Sequence, residues 1–88
     1  MMSTPTLPQA LRARRAEIAK SRGLDDFGQE AASLEMGLHK NQCHRWETGT
    51  IPRPESVPVL MEFLGITQDE LGAVILETQM ERARRASW

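Results

Sequence analysis

Eighty-eight residues, 40% of them hydrophobic and 26% charged, make room for one small domain with a single modest core. That is too little chain to wall off a deep catalytic cleft, so an enzyme is disfavoured. No apolar run approaches the ~20 residues that span a bilayer, and the one cysteine, Cys43, can form no internal disulfide, so the chain is expected in the cytoplasm with no membrane partner. The net charge of −1 is at odds with a partner as anionic as nucleic acid unless the charges are segregated.

They are segregated, and the blocks follow the predicted elements. Residues 1–7 lack the charged-then-apolar order of an export signal and are expected to form a flexible segment. Pro8 suits the first turn of a helix over residues 8–22, which carries Leu11 and Ile18 on an apolar stripe, and Gly23 stops it. Within it Arg12, Arg14, Arg15, Lys20 and Arg22 face only Glu17 in charge, a block of +4. A second helix is predicted from an N-cap at Asp25 to Met36, with Gly37 as its stop, and it is acidic through Asp25, Asp26, Glu30 and Glu35. The third helix starts at His39 or a neighbour, is bounded here as 40–48, ends at Gly49, and is basic again through Lys40 and Arg45. Ile51-Pro52-Arg53-Pro54 is an extended turn, since a residue before proline is pushed away from helical angles. A fourth helix covers residues 55–64, with Pro58 in its first turn. Thr67 and Glu70 have the spacing of a capping box and open a fifth helix running to about Arg85. No β-branched alternation marks a strand, so the fold class is all-α with five helices.

The stretch GLHKNQCHRWETG, Gly37 to Gly49, concentrates the chemistry. At ~100° per residue, Cys43 and Trp46 fall on one side of the third helix, whereas Lys40, Asn41, His44 and Arg45 fall on the other. A thiol and an indole make a core face; four hydrogen-bonding side chains with no apolar neighbour make a face to be read from outside. Ala32, Ser33 and Met36 stand at helical spacing on the second helix, the first two small enough for another helix axis to approach. Gly37 permits the tight turn, and Leu38 plugs its corner. Small residue, three spacers, glycine, apolar residue and then a compact apolar residue five positions on is the helix-turn-helix pattern.

On these residues the chain resembles the DNA-binding domain of the phage repressor and Cro family (XRE-like). QEAASLEMGLHKNQCHRWETG matches its two-helix unit without a gap, with Ser33 for the usual alanine and Cys43 for the usual valine or isoleucine, and RPESVPVLMEFLGITQDEL matches its fourth helix and the start of its fifth. The resemblance covers residues 29–71. It implies a five-helix lambda-repressor-like domain over residues 8–76, with the helix-turn-helix unit at 29–48, that binds double-stranded DNA and represses transcription, without cofactor or small-molecule substrate. It further implies that Lys40, Asn41, Gln42, His44 and Arg45 touch base edges while Gln29, His39, Thr50 and Arg53 hold phosphates, a division in which positioning and specificity belong to different residues. The family also pairs an arginine of its first helix with the acid after the third helix's aromatic residue, here Glu47. Ala19 occupies the spacing of that arginine, so Arg15 or Lys20 serves Glu47 from a lengthened first helix, or Glu47 is a surface acid with no fixed partner.

Other readings of the same residues are weaker. A metal would need His39, Cys43 and His44 together, yet His44 points elsewhere and no fourth ligand follows at a zinc-like spacing. Cys43 and His44 diverge by about 100° and make a poor nucleophile and base. A protein-binding adaptor or antitoxin built on the same scaffold is the alternative that the acidic block from Glu55 to Glu81 favours. On the fifth helix Leu71, Val74, Ile75 and Thr78 share one side, and Ala73, Leu76, Met80 and Ala83 the opposite one. The second stripe predicts a homodimer held in part by the extension at residues 77–88.

Overall fold

The computed structural model describes residues 3–86. It is all-helical over those residues, with α1 (Leu7–Ser21), α2 (Gln29–Glu35), α3 (Gln42–Glu47), a short 3-10 turn (Pro54–Ser56), α4 (Val57–Leu64) and α5 (Gln68–Ala86). No helix among the described residues is long and apolar enough to cross a membrane.

Packing is organised around α1, which lies against α3, α4 and α5, while α2 packs on α3 and α4 on α5. Leu7, Leu11 and Ile18 of α1 are buried with Ala32, Cys43, Trp46, Leu60, Phe63, Leu71 and Val74, so every helix contributes to one core. Pro58 lies in the first turn of α4, where its missing N–H costs no hydrogen bond. The capping box opening α5 forms as expected: the Thr67 N–H donates to Glu70 Oε1 at 3.0 Å and the Glu70 N–H to Thr67 Oγ1 at 3.2 Å.

The fourth helix begins at Val57 after the 3-10 turn rather than at residue 55, and three further boundaries differ from the sequence-based expectation for reasons visible in the contacts. The expected loose segment 1–7 ends inside the fold, whereas its first two residues lie outside the described ones. Thr6 caps α1 through a reciprocal pair with Gln9, and the buried Leu7 N–H donates to Thr78 Oγ1 at 2.8 Å. Thr78 in turn donates to the Val74 carbonyl at 2.8 Å, so this buried hydroxyl satisfies an orphan amide of α1 and ties α5 to the start of α1. The last two residues of the extension at 77–88 also lie outside the described residues.

The second helix starts at Gln29, with Gly28 as N-cap, rather than after Asp25. Phe27 decides this. It is buried in the core with the Arg22 guanidinium 5.4 Å from its ring centroid, which holds residues 24–28 as irregular chain and leaves Asp25 too early to cap.

The third helix is shorter than 40–48, because residues 39–41 form a turn before it. The Asn41 N–H donates to His39 Nδ1 at 3.2 Å and the Gln42 N–H to the His39 carbonyl at 3.0 Å. Arg45 N–H to Asn41 carbonyl, 3.0 Å, is where the helical pattern begins. Gly37, at φ 76°, closes α2 with paired bonds from Gly37 N–H to Leu34 O and Leu38 N–H to Ser33 O, a reversal that L side chains rarely adopt. The same pattern at Gly49, φ 116°, with Thr50 N–H to Arg45 O at 3.0 Å, ends α3.

Candidate nucleic-acid interface

The underside of α3 is fastened at three points. Trp46 and Cys43 are buried, the indole only 1% exposed. Ser33 of α2 is fully enclosed; its Oγ accepts from the Cys43 N–H at 2.9 Å and donates to the Gln29 carbonyl at 2.9 Å. A serine where an alanine would suffice for close approach thus adds a hydrogen bond between α2 and the first turn of α3, satisfying a helix-start amide that packing would otherwise strand. Ala32 is buried beside it, and Met36 and Leu38 lie half-buried at the edge of the core.

The third fastening is Glu47, whose side chain is 3% exposed. Arg15 grips it with two bonds, Nε to Oε2 at 2.9 Å and NH2 to Oε1 at 2.8 Å. Cys43 Sγ donates to Oε2 at 3.2 Å, Gln29 Nε2 to Oε1 at 3.1 Å, and Arg12 approaches Oε1 at 3.5 Å. Of the two cations expected for Glu47, it is Arg15, in the middle of α1, that serves; Lys20 is exposed and takes no part. Burial alone would push the Glu47 carboxyl up, but the hydrogen bonds from Arg15, Gln29 and Cys43 outweigh it and hold the group below its ordinary value. Bonding to Glu47 also raises Arg15. Burial, then the bond to Glu47, push the Cys43 thiol up to about 12, so it remains a neutral donor packed in the core.

The outer side carries the opposite chemistry. Lys40 and Asn41 on the turn, and His44 and Arg45 on α3, are all exposed, whereas Gln42 is half-buried. Among the described residues, no side-chain hydrogen bond or ion pair occupies Lys40, Arg45 or Arg53. Thr50 and Arg53 are exposed on the segment after α3, and Arg82 from α5 reaches that segment, donating to the Gly49 carbonyl at 3.2 Å. Because Glu47, the one acid of the third helix, is buried and paired, the exposed charges of this element are cationic.

Two residues expected to hold phosphates have internal work. Gln29 is half-buried, its amide nitrogen on Glu47 and its amide oxygen 3.0 Å from His44 Nδ1. Its side chain thus makes two bonds inside the protein, one to a carboxylate and one to an imidazole. His39 is exposed, but its Nδ1 accepts the Asn41 N–H and shapes the turn. The contacts that sequence reasoning missed, Ser33 with Cys43 and Gln29 with both Glu47 and His44, join residues 10, 18 and 15 positions apart. A polar residue at a close-packing position was the only local signal for the first, and none existed for the others.

Among the described residues no group of three or more histidines, cysteines and acids is placed to hold a metal ion. Ala73, Leu76, Met80 and Ala83 lie exposed along α5, with Leu76 at 56% and Met80 at 45%. Comparison of the chain with family models, curated proteins and solved structures finds no match.

Proposed function

We propose that this protein is a sequence-specific DNA-binding regulator, a repressor of the phage or prophage Cro type, in which α2, the Gly37 turn and α3 act as a helix-turn-helix unit. It works by binding, without catalysis, in the cytoplasm of a bacterium or phage-infected cell. One observation carries the reading. Cys43, Trp46 and Glu47 are all locked beneath α3, while Lys40, Asn41, His44 and Arg45 stand exposed above it in a cluster with no apolar member. Such a ridge supplies what the major groove of DNA can use: cations for guanine O6 and N7, and an amide for adenine N6 and N7. Thr50 and Arg53, just beyond the end of α3, are the phosphate contacts of this proposal, with Arg82 bracing the segment that carries them.

Substitution separates the two roles. Lys40→Ala or Arg45→Ala is expected to relax preference at one base position per half-site, at a cost of about 1–3 kcal/mol against the best sequence. Arg53→Ala should weaken every duplex alike and lower the salt slope by about one. Identical effects of all three on every sequence would contradict the assignment.

The stripe Ala73, Leu76, Met80 and Ala83 is proposed as the contact with a second copy of this chain. A two-fold pair would set two α3 ridges ~34–36 Å apart, the spacing of half-sites one DNA turn from each other. Sedimentation equilibrium is expected to show a dimer that is lost on truncation after Thr78. A full-length chain that stays monomeric at high micromolar concentration rules the contact out.

A further inference from the structure

We infer that Gln29 fixes His44 in the Nδ1–H tautomer, so that neutral His44 offers an unprotonated Nε2 and reads a base bearing an exocyclic amino group, adenine or cytosine. The inference rests on the proposed DNA reading for its ligand and on hydrogen-bond logic for its chemistry.

The logic starts at Glu47. Its two oxygens already receive Arg15 and Cys43, and an ionised carboxylate only accepts. Gln29, 3.1 Å from Oε1, must therefore present its NH2 group there. An amide has one NH2 and one oxygen, so the atom left facing His44 Nδ1, at 3.0 Å, is the oxygen. That oxygen has no hydrogen to give, and the contact is a bond only if Nδ1 carries the proton. The neutral ring then has its lone pair on Nε2. The Ser33 Oγ–H donated to the Gln29 carbonyl at 2.9 Å anchors the backbone of the same residue, which limits the freedom of the amide to swing.

His44 is exposed beside Arg45 on the outer ridge. An acceptor presented there pairs with N6–H2 of adenine or N4–H2 of cytosine, and it meets only acceptors on guanine and on thymine O4. The other neutral tautomer would reverse the preference. Gln29 is thus a positioning residue: it transmits the orientation of a buried ion pair to a reading atom on the surface without touching DNA through its side chain.

The test has a protein arm and a DNA arm. In the full chain labelled with 15N, imidazole correlations of His44 are expected to show a protonated Nδ1 and a bare Nε2. In Gln29→Leu they should move towards the Nε2–H form that unrestrained imidazoles favour. A protonated Nε2 with a bare Nδ1 in the wild-type chain overturns the lock. For the DNA arm, the probe is a duplex selected from a random pool. At the position whose preference disappears in His44→Ala, the amino base is replaced by its analogue lacking the amino group, purine for adenine or pyrimidin-2-one for cytosine. The wild type should lose about tenfold in affinity, the size of one good base contact, and His44→Ala should lose nothing further. An intact lock with no penalty from the analogue overturns the reading role. If no duplex sequence is selected at all, the proposed function itself fails, and the imidazole spectrum still decides the tautomer.

Discussion

Arg15→Met is expected to destabilise the domain by about 3 kcal/mol, a large part of the ~5–15 kcal/mol that separates a domain from its unfolded chain. The reason is what it leaves behind. Glu47 is almost wholly buried and takes two of its short bonds from Arg15; without them the carboxylate retains only Gln29, the Cys43 thiol and a distant Arg12. The pair Arg15→Met with Glu47→Leu should recover most of the loss, because two apolar groups in that space strand no charge. Urea denaturation of the three variants checks this. A single variant as stable as the wild type would show that the contact contributes little.

Acid should act on the same group. Since the folded protein holds Glu47 below its ordinary value, the stability it contributes is complete above the unfolded value of about 4.3 and is lost as pH falls through the lower folded one. In Arg15→Met, burial is less opposed, and the loss should begin at higher pH.

Much of this architecture was legible in local chemistry. Gly23, Gly37, Gly49 and Gly65 end or follow helices with positive φ, and Thr67 with Glu70 opens α5 by a rule that needs no tertiary knowledge. The outward set on the third helix could be read because burial of Cys43 and Trp46 follows from a 3.6-residue period. What escaped is non-local. Asp25 has the better capping chemistry, but the burial of Phe27 places the helix start at Gly28. Whether Arg15 or Lys20 reached Glu47 depended on where α1 crosses α3, which no spacing in the chain reports. Gln29 carried the pattern of a phosphate anchor, and only the proximity of Glu47 and His44 reveals its other duty.

The account as a whole stands on an electrostatic partner for the outer ridge. Lys40, Arg45 and Arg53 are exposed and, among the described residues, unpaired; in the proposed dimer, neutralising phosphates with such groups from two copies would release condensed counterions from the duplex. About six phosphate contacts would lower affinity roughly 10³-fold between 50 and 200 mM salt. An acidic chain of net charge −1 has no such dependence without a local basic surface. The decisive measurement is therefore selection of duplexes from a random pool, followed by titration of the best one across that salt range. A two-fold symmetric consensus with a steep inverse salt slope is the predicted result. No enriched sequence, or binding indifferent to salt, would contradict the claim that this ridge reads DNA.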